Sequence, residues 1–161
     1  MEHLAVKRAV IFAAVVVFQI TAAPPPPLVG TWRLEQQEIN GVASHSEALT
    51  LKISQDGEKL AFAFSVPVNN IYFVSMSYTL RLDGSDADIK NARGEKMGVI
   101  QMTPAGNGQY KLVMKGPNRP DSFGKLTVSP DGKTLISETD AMQGDRTVHS
   151  KQTFSRYTQA R

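Results

Sequence analysis

Leu28-Val29-Gly30-Thr31-Trp32-Arg33-Leu34 is the stretch of sequence that decides the fold. It has the pattern of a short apolar strand, contains the only Trp of the chain, and follows the proline run Pro24–Pro27. About nine segments that alternate apolar with polar residues come after it, separated by turns of Gly, Asn, Asp and Pro. This succession predicts a sheet that closes on itself.

The first 23 residues have the three parts of a secretory signal. Lys7 and Arg8 precede the uncharged run Ala9–Phe18, and the small residues Thr21–Ala23 follow it. The run is shorter than the roughly 20 apolar residues that cross a bilayer, which disfavours an uncleaved anchor. Residues 1–23 are therefore predicted to be a cleaved signal helix, and the mature chain is expected to be secreted or periplasmic, without stable membrane anchoring.

Length and composition indicate one folded domain behind this signal. Pro24–Pro27 is expected to extend as a polyproline II spacer, so the domain is predicted to span residues 28–158. Cys is absent, which excludes thiol chemistry and leaves the core alone to stabilise the domain. Beyond residue 23, 16 Lys and Arg are interspersed with 14 Asp and Glu, a pattern that does not indicate nucleic-acid binding.

The apolar periodicity is that of β-hairpins. Leu49, Leu51 and Ile53 share one face of a strand, and Asp56-Gly57 supplies a tight turn after it. The cleanest alternation is at Ile71–Leu82. Because connections long enough for parallel crossovers are missing, the pattern predicts an all-β, antiparallel up-and-down meander closed into a barrel of about 8–10 strands. A two-sheet sandwich is the alternative.

Five segments interrupt the alternation and are expected to lie outside the strands. Pro67–Asn70 is predicted to break a strand, and Thr139–Asp145 is predicted to be the last loop. Asn91–Lys96 and Pro117–Ser122 are polar and are expected to form surface connections. Val42–Ser46 is compatible with a loop or with a short helical turn.

Gly30-Thr31-Trp32, at the first strand of such a meander, resembles the Gly-x-Trp motif of the lipocalin-like part of the calycin superfamily. Ile53–Gly57 and Ser129–Leu135 resemble the early hairpin and the late Ser-x-Asp-Gly-Lys-Thr-Leu motif of secreted bacterial proteins of this kind. The resemblance covers essentially the whole mature chain, although the Thr-Asp-Tyr turn of ligand-transporting lipocalins has no counterpart. It implies that Trp32 plugs the closed end of the barrel and that Arg156 stacks on the indole.

The barrel interior is the candidate binding site. Barrels of this strand number are either packed solid or able to hold one small ligand. The inward-facing set is apolar and adaptable, and two phenol groups in it are able to orient a guest. This set consists of Phe62, Phe64, Met76, Tyr78, Leu80, Met102, Tyr110, Leu112 and Met114. It predicts binding of a small hydrophobic ligand; the alternative is a structural or interaction domain with a solid core that acts through its surface.

The sequence predicts no catalytic residue, metal site or cofactor. His45 and His149 are the only histidines beyond the signal, too few for most His chemistry. Asp83–Asp88 lacks the glycine and terminal Glu of an EF-hand and is expected to be a hairpin turn. Ser129 has no nucleophile-elbow context, and no helix follows Gly106–Gly108, so neither indicates an enzyme.

Overall fold

The computed structural model describes residues 27–44 and 48–157, which fold as strands and turns. The predicted signal, residues 1–23, lies outside the described residues, as do Pro24–Pro26 of the spacer, His45 and residue 158. Within the described part, no helix has the length and hydropathy needed to cross a membrane. The strands are β1 (Gly30–Ile39), β2 (Val42–Ser44), β3 (Thr50–Asp56), β4 (Lys59–Val68), β5 (Ile71–Arg81), β6 (Ala87–Asn91), β7 (Lys96–Gly106), β8 (Gln109–Gly116), β9 (Arg119–Val128), β10 (Thr134–Gln143) and β11 (Arg146–Arg156).

The sheet is an antiparallel meander whose ends meet. From β3 to β11, consecutive strands pair with one another, and β11 then pairs with β1. The other edge of β1 is shared by β3, near its beginning, and by the short β2, near its end. The ring therefore has ten strands with β2 as a short addition, which confirms the predicted all-β up-and-down barrel and excludes the sandwich.

The seam between β1 and β11 is built around an aromatic and a cation. Trp32 lies directly opposite Arg156 in the register of the two strands. The Arg156 guanidinium carbon lies 4.2 Å from the centroid of the indole ring, and the indole is fully buried. Below it, the Nε1–H of Trp32 donates a hydrogen bond of 2.8 Å to the carbonyl oxygen of Leu28. The buried N–H group of the indole thereby has a hydrogen-bond partner within the chain.

Arg156 also binds two other segments of the chain, the residues before β1 and the turn before β10, through their backbones. Its guanidinium donates hydrogen bonds to the carbonyl oxygens of Gly132 (2.5 Å), Val29 (2.7 Å) and Pro27 (2.6 Å). The guanidinium occupies the space beside Gly30, where a Cβ would lie 2.3 Å from Nη1 of Arg156. Glycine at position 30 is therefore required by a close approach, and its backbone φ of 150° is one that other residues rarely adopt.

Two segments in the first half of the chain differ from the expectations. Val42–Ser44 is neither loop nor helix: Asn40 and Gly41 have positive φ values of 52° and 77°, so the chain turns within two residues and pairs with β1. Pro67 lies within β4, which continues to Val68. Its missing N–H costs no ladder bond, because β3 ends its pairing with β4 at Ser65.

In the second half, strand replaces part of two predicted connections, Pro117–Ser122 and Thr139–Asp145, whereas Asn91–Lys96 is a surface connection as expected. The expected loop Pro117–Ser122 is a tight turn at Pro117-Asn118 followed by β9, with Asn118 at a φ of 57°. Asn91–Lys96 is a compact turn in which the Asn91 carboxamide oxygen accepts hydrogen bonds from the backbone N–H groups of Arg93 and Glu95. Thr139–Asp145 is not a loop either, because β10 continues to Gln143. Polar side chains lie on both faces of this strand, so the alternation of apolar and polar residues that indicates a strand is absent from the sequence there.

A single hydrophobic core fills the barrel next to the closed end, the end that carries Trp32. Its largest side chains with under 2% exposure include Trp32, Phe62, Phe154 and Met102. The successive turns of an up-and-down barrel alternate between its ends, so those at 40–41, 69–70, 92–94, 117–118 and 144–145 lie at the opposite end. We call this the far end.

Replacing Arg156 by Lys is expected to lower the free energy of unfolding by about 2–4 kcal/mol. Lysine keeps the positive charge but has no planar guanidinium group. The variant therefore loses the hydrogen bonds to three carbonyl oxygens and the stacking on Trp32. Arg33→Lys is a matched control, because the Arg33 guanidinium lies 4.4 Å from the centroid of the Tyr157 ring in an exposed pair. Its effect should stay below about 1 kcal/mol. Urea unfolding of both variants measures the difference; equal, small losses would contradict the proposed importance of Arg156.

Candidate functional site

The barrel encloses a cavity of about 140 Å³. Its wall draws on strands around most of the ring, since each strand contributes the inward-facing residues of its period-two pattern. Ten of the thirteen lining residues are apolar or aromatic: Leu51, Phe64, Met76, Tyr78, Ile89, Ile100, Leu112, Met114, Leu126 and Phe154. None of the thirteen carries a charge. The cavity is therefore suited to a small, mainly apolar body.

The three polar lining residues are grouped on one side. Ser137 and Thr139 belong to β10 and Gln152 to β11, and Ser137 lies directly opposite Gln152 in the strand register. The carboxamide nitrogen of Gln152 donates a hydrogen bond of 3.2 Å to the carboxamide oxygen of Gln37. This side, which we call the polar wall, offers hydroxyl and amide groups to an occupant.

An aromatic group lies on the β4–β5 part of the wall. The rings of Phe62 and Tyr78 stack with centroids 4.7 Å apart, and Phe64 packs against Tyr78 at 5.9 Å. Burial raises the pKa of the Tyr78 hydroxyl well above its ordinary value, because the charged phenolate would lose its hydration. The pKa of Tyr110 is also raised by burial. Both phenols are thus neutral groups that can donate a hydrogen bond.

The sequence-predicted interior residues divide into two groups. Phe64, Met76, Tyr78, Leu112 and Met114 line the cavity. The others pack in the core instead of lining it, and none is more than 6% exposed: Phe62, Leu80, Met102 and Tyr110. Contact of either group with a ligand stays a prediction.

Sequence reasoning did not identify the polar wall. Its signal was present, because Ser137 follows the buried Leu135 by two residues and Gln152 precedes the buried Phe154 by two. A period of two places all four side chains on the inner face. Because Thr139–Asp145 was interpreted as a loop, Thr139 was not assigned to the inner face of the last hairpin.

The β4–β5 hairpin extends beyond its neighbours at the far end. Residues 66–74 pair only within the hairpin, since β3 reaches no further than Ser65 and β6 no further than Met76. The hairpin exposes five large apolar side chains by 47–61%: Val68, Ile71, Tyr72, Phe73 and Val74. No charged residue occurs from Leu60 to Leu80. An uncharged apolar segment thus continues from the cavity wall, at Phe64 and Met76, into solvent.

His149 lies on the outer face of the barrel, away from the cavity. Its Nδ1 is 2.7 Å from a carboxylate oxygen of Asp140, which belongs to β10 and not to a loop as expected. The backbone N–H of His149 donates to the Asn40 side chain, and the N–H of Asn40 donates to the His149 carbonyl oxygen. These bonds tie the β1–β2 turn to β11, a structural role.

The expected turn at Asp83 is held by its own side chain. The Asp83 carboxylate accepts hydrogen bonds from the hydroxyl (2.6 Å) and the backbone N–H (2.9 Å) of Ser85, and these bonds lower the pKa of the carboxyl group.

In the two described ranges, no three His, Asp or Glu side chains are arranged to hold a metal ion.

Comparison with known proteins identifies the fold. No protein-family model matches the chain, and no curated protein sequence matches it. Among solved structures, zebrafish ileal bile acid-binding protein in complex with cholic acid superposes with a TM-score of 0.57 at 18% sequence identity. The match covers 81% of this chain and 99% of that chain. At this identity the likeness is one of fold alone, a closed antiparallel β-barrel.

Replacing Tyr78 by Phe is expected to flatten the loss of stability at alkaline pH. Above pH 10, the ordinary pKa of Tyr, the unfolded chain releases the phenolic proton while the folded chain retains it. The free energy of unfolding then falls with rising pH, by up to about 1.4 kcal/mol per pH unit from this residue. Urea unfolding between pH 8 and 11 measures the slope. Parallel pH profiles for the variant and the natural chain would show that Tyr78 does not contribute.

Proposed function

We propose that this chain is an exported, lipocalin-like protein that binds a small apolar molecule inside its barrel. The cavity carries the proposal: it lies in the interior that the alternating pattern builds, and ten of its thirteen lining residues are apolar or aromatic. Two methionines, Met76 and Met114, add side chains that adapt to an occupant. A binding role is consistent with these features and requires no catalytic group.

The volume of the cavity limits the size of this molecule. Pockets for drug-sized ligands have volumes of about 300–1,000 Å³. A cavity of roughly 150 Å³ lined by Leu, Ile and Phe holds a single benzene ring. At about 140 Å³, the cavity of this chain fits a body of that size. We therefore expect a ring-sized ligand, or a ring-sized part of a larger one.

Two further observations support the proposal. The charged, apolar and small-residue parts of residues 1–23 are those of an export signal, which favours a secreted or periplasmic protein. The barrel also shares its fold with a protein that was crystallised with cholic acid. Because the identity is 18%, this likeness supports a binding role in general and not the same ligand.

The exposed hairpin favours a second candidate, an interaction domain that acts through its surface. Large exposed apolar patches often mark contact sites, and residues 66–74 form one without any charge. Of the two polar segments expected to be surface connections, Asn91–Lys96 is a tight turn, and Pro117–Ser122 is a tight turn followed by the start of β9. This second function requires no occupant in the cavity, so a test of the interior separates the two.

Toluene, a ring-sized apolar probe, is expected to bind with a dissociation constant of about 1 mM or tighter. That affinity corresponds to about 4 kcal/mol, well within the limit for seven non-hydrogen atoms. Ligand-detected NMR with the purified mature chain measures it. Ser137→Phe should abolish binding, because the added ring fills the cavity.

Ile136→Phe is the matched control for this experiment. It adds a ring at the adjacent position of β10, on the outer face, and should leave toluene binding unchanged. Absence of toluene binding to the natural chain would contradict the proposed function and favour the surface role. Equal binding by both variants would place the probe outside the cavity.

A further inference from the structure

We infer that the cavity selects uncharged, ring-sized molecules that carry one hydrogen-bonding edge, and that it rejects carboxylates of the same shape. This inference rests on the proposed function and specifies the chemical class of ligand. Three features of the cavity carry it: the absence of charge, the placement of the polar wall, and the aromatic group on the other side.

The first feature is electrostatic. None of the thirteen residues that line the cavity is Lys, Arg or His. The guanidinium of Arg156 is engaged by Trp32 and by backbone carbonyl oxygens at the closed end. A carboxylate that enters the cavity therefore loses its hydration without gaining a cation, which is costly in an apolar interior. A neutral group of the same shape avoids this cost.

The second feature is the chemistry of the polar wall. Ser137 and Thr139 each offer one hydroxyl, which donates one hydrogen bond and accepts others. Gln152 uses one amide hydrogen toward Gln37 and keeps its carbonyl oxygen and its second amide hydrogen. Donors and acceptors thus stand side by side on two neighbouring strands. An amide or an alcohol can satisfy both kinds of group, whereas a carboxylate can only accept.

The third feature fixes the orientation of the occupant. In the ring of ten strands, β5 lies halfway round from β10, so Met76 and Tyr78 face the side opposite Ser137 and Thr139. Phe64 packs beside Tyr78. An occupant whose ring contacts this aromatic side presents its opposite edge to the polar wall. The cavity thus has the hydroxyl and amide groups of the polar wall on one side and mainly aromatic and aliphatic surface, with the Tyr78 hydroxyl, on the other.

Benzamide and benzoate test this inference, because they share a shape and differ in charge at pH 7. We expect benzamide to bind the natural chain at least about tenfold more tightly than benzoate, since an unpaired buried charge is costly. Titration by ligand-detected NMR at constant ionic strength measures both, with toluene as the apolar reference. Equal affinities, or tighter binding of benzoate, would overturn the inference.

The double variant Ser137→Ala, Thr139→Val tests the polar wall itself. Both changes remove a hydroxyl with little change in shape, so toluene should bind as well as or better than it binds the natural chain. Benzamide should bind about three- to tenfold more weakly, the loss expected for one hydrogen bond. An unchanged affinity for benzamide would show that the polar wall does not recognise the ligand, which overturns the inference.

The proposed binding function and the inferred ligand class are contradicted by different results. If toluene, benzamide and benzoate all fail to bind, the proposed binding function is wrong. If toluene binds while benzamide has no advantage over benzoate, the binding function stands and the inferred ligand class is wrong. Circular dichroism of the double variant shows whether it is folded, and the comparison of the three probes on the natural chain does not depend on it.

Discussion

The barrel depends on the contact between the Arg156 guanidinium and the Trp32 indole, because this contact lies where the first and last strands meet. An open ten-strand meander would expose two edges, and pairing of β1 with β11 removes both. The guanidinium also binds carbonyl oxygens of the segment before β1 and of the turn before β10. One side chain of β11 thus binds both the segment before β1 and a distant turn, and it explains why residue 30 is glycine.

Closure at this end determines what the interior can do. The large side chains under 2% exposed, among them Phe62 and Met102, fill the barrel next to Trp32 and leave a cavity that holds about one ring. Because a closed barrel turns one face of every strand inward, the few polar residues on the inner faces of β10 and β11 line the cavity instead of the outer surface. Strands β4 and β5 are continuous, so the apolar surface that begins at Phe64 in the cavity wall extends into the exposed hairpin.

Much of the fold could be predicted from the sequence, because tight turns and period-two alternation are local. The stacking of Arg156 on Trp32 was expected from the family resemblance and from the position of Arg156 two residues after Phe154, whereas the register of the two strands was not predicted. Errors arose where local signals conflict with the rest of the fold. Polar residues on both faces concealed the end of β10, and Pro67 suggested a break although no neighbouring strand needs its N–H there. The size of the cavity depends on how side chains from many strands fill one volume, which no local pattern encodes.

The meeting of the two terminal strands is the central claim, and an engineered disulfide tests it most directly. Glu38 lies opposite Lys151 across the seam, and the natural chain has no Cys. Directly opposed residues of antiparallel strands have the Cα separation that a disulfide needs. On mild oxidation, the Glu38→Cys, Lys151→Cys variant should form an intramolecular disulfide in the folded state, seen as loss of free thiol and raised stability to urea. Thiols that stay free in the folded protein would show that β1 and β11 are not paired, which contradicts the closed barrel.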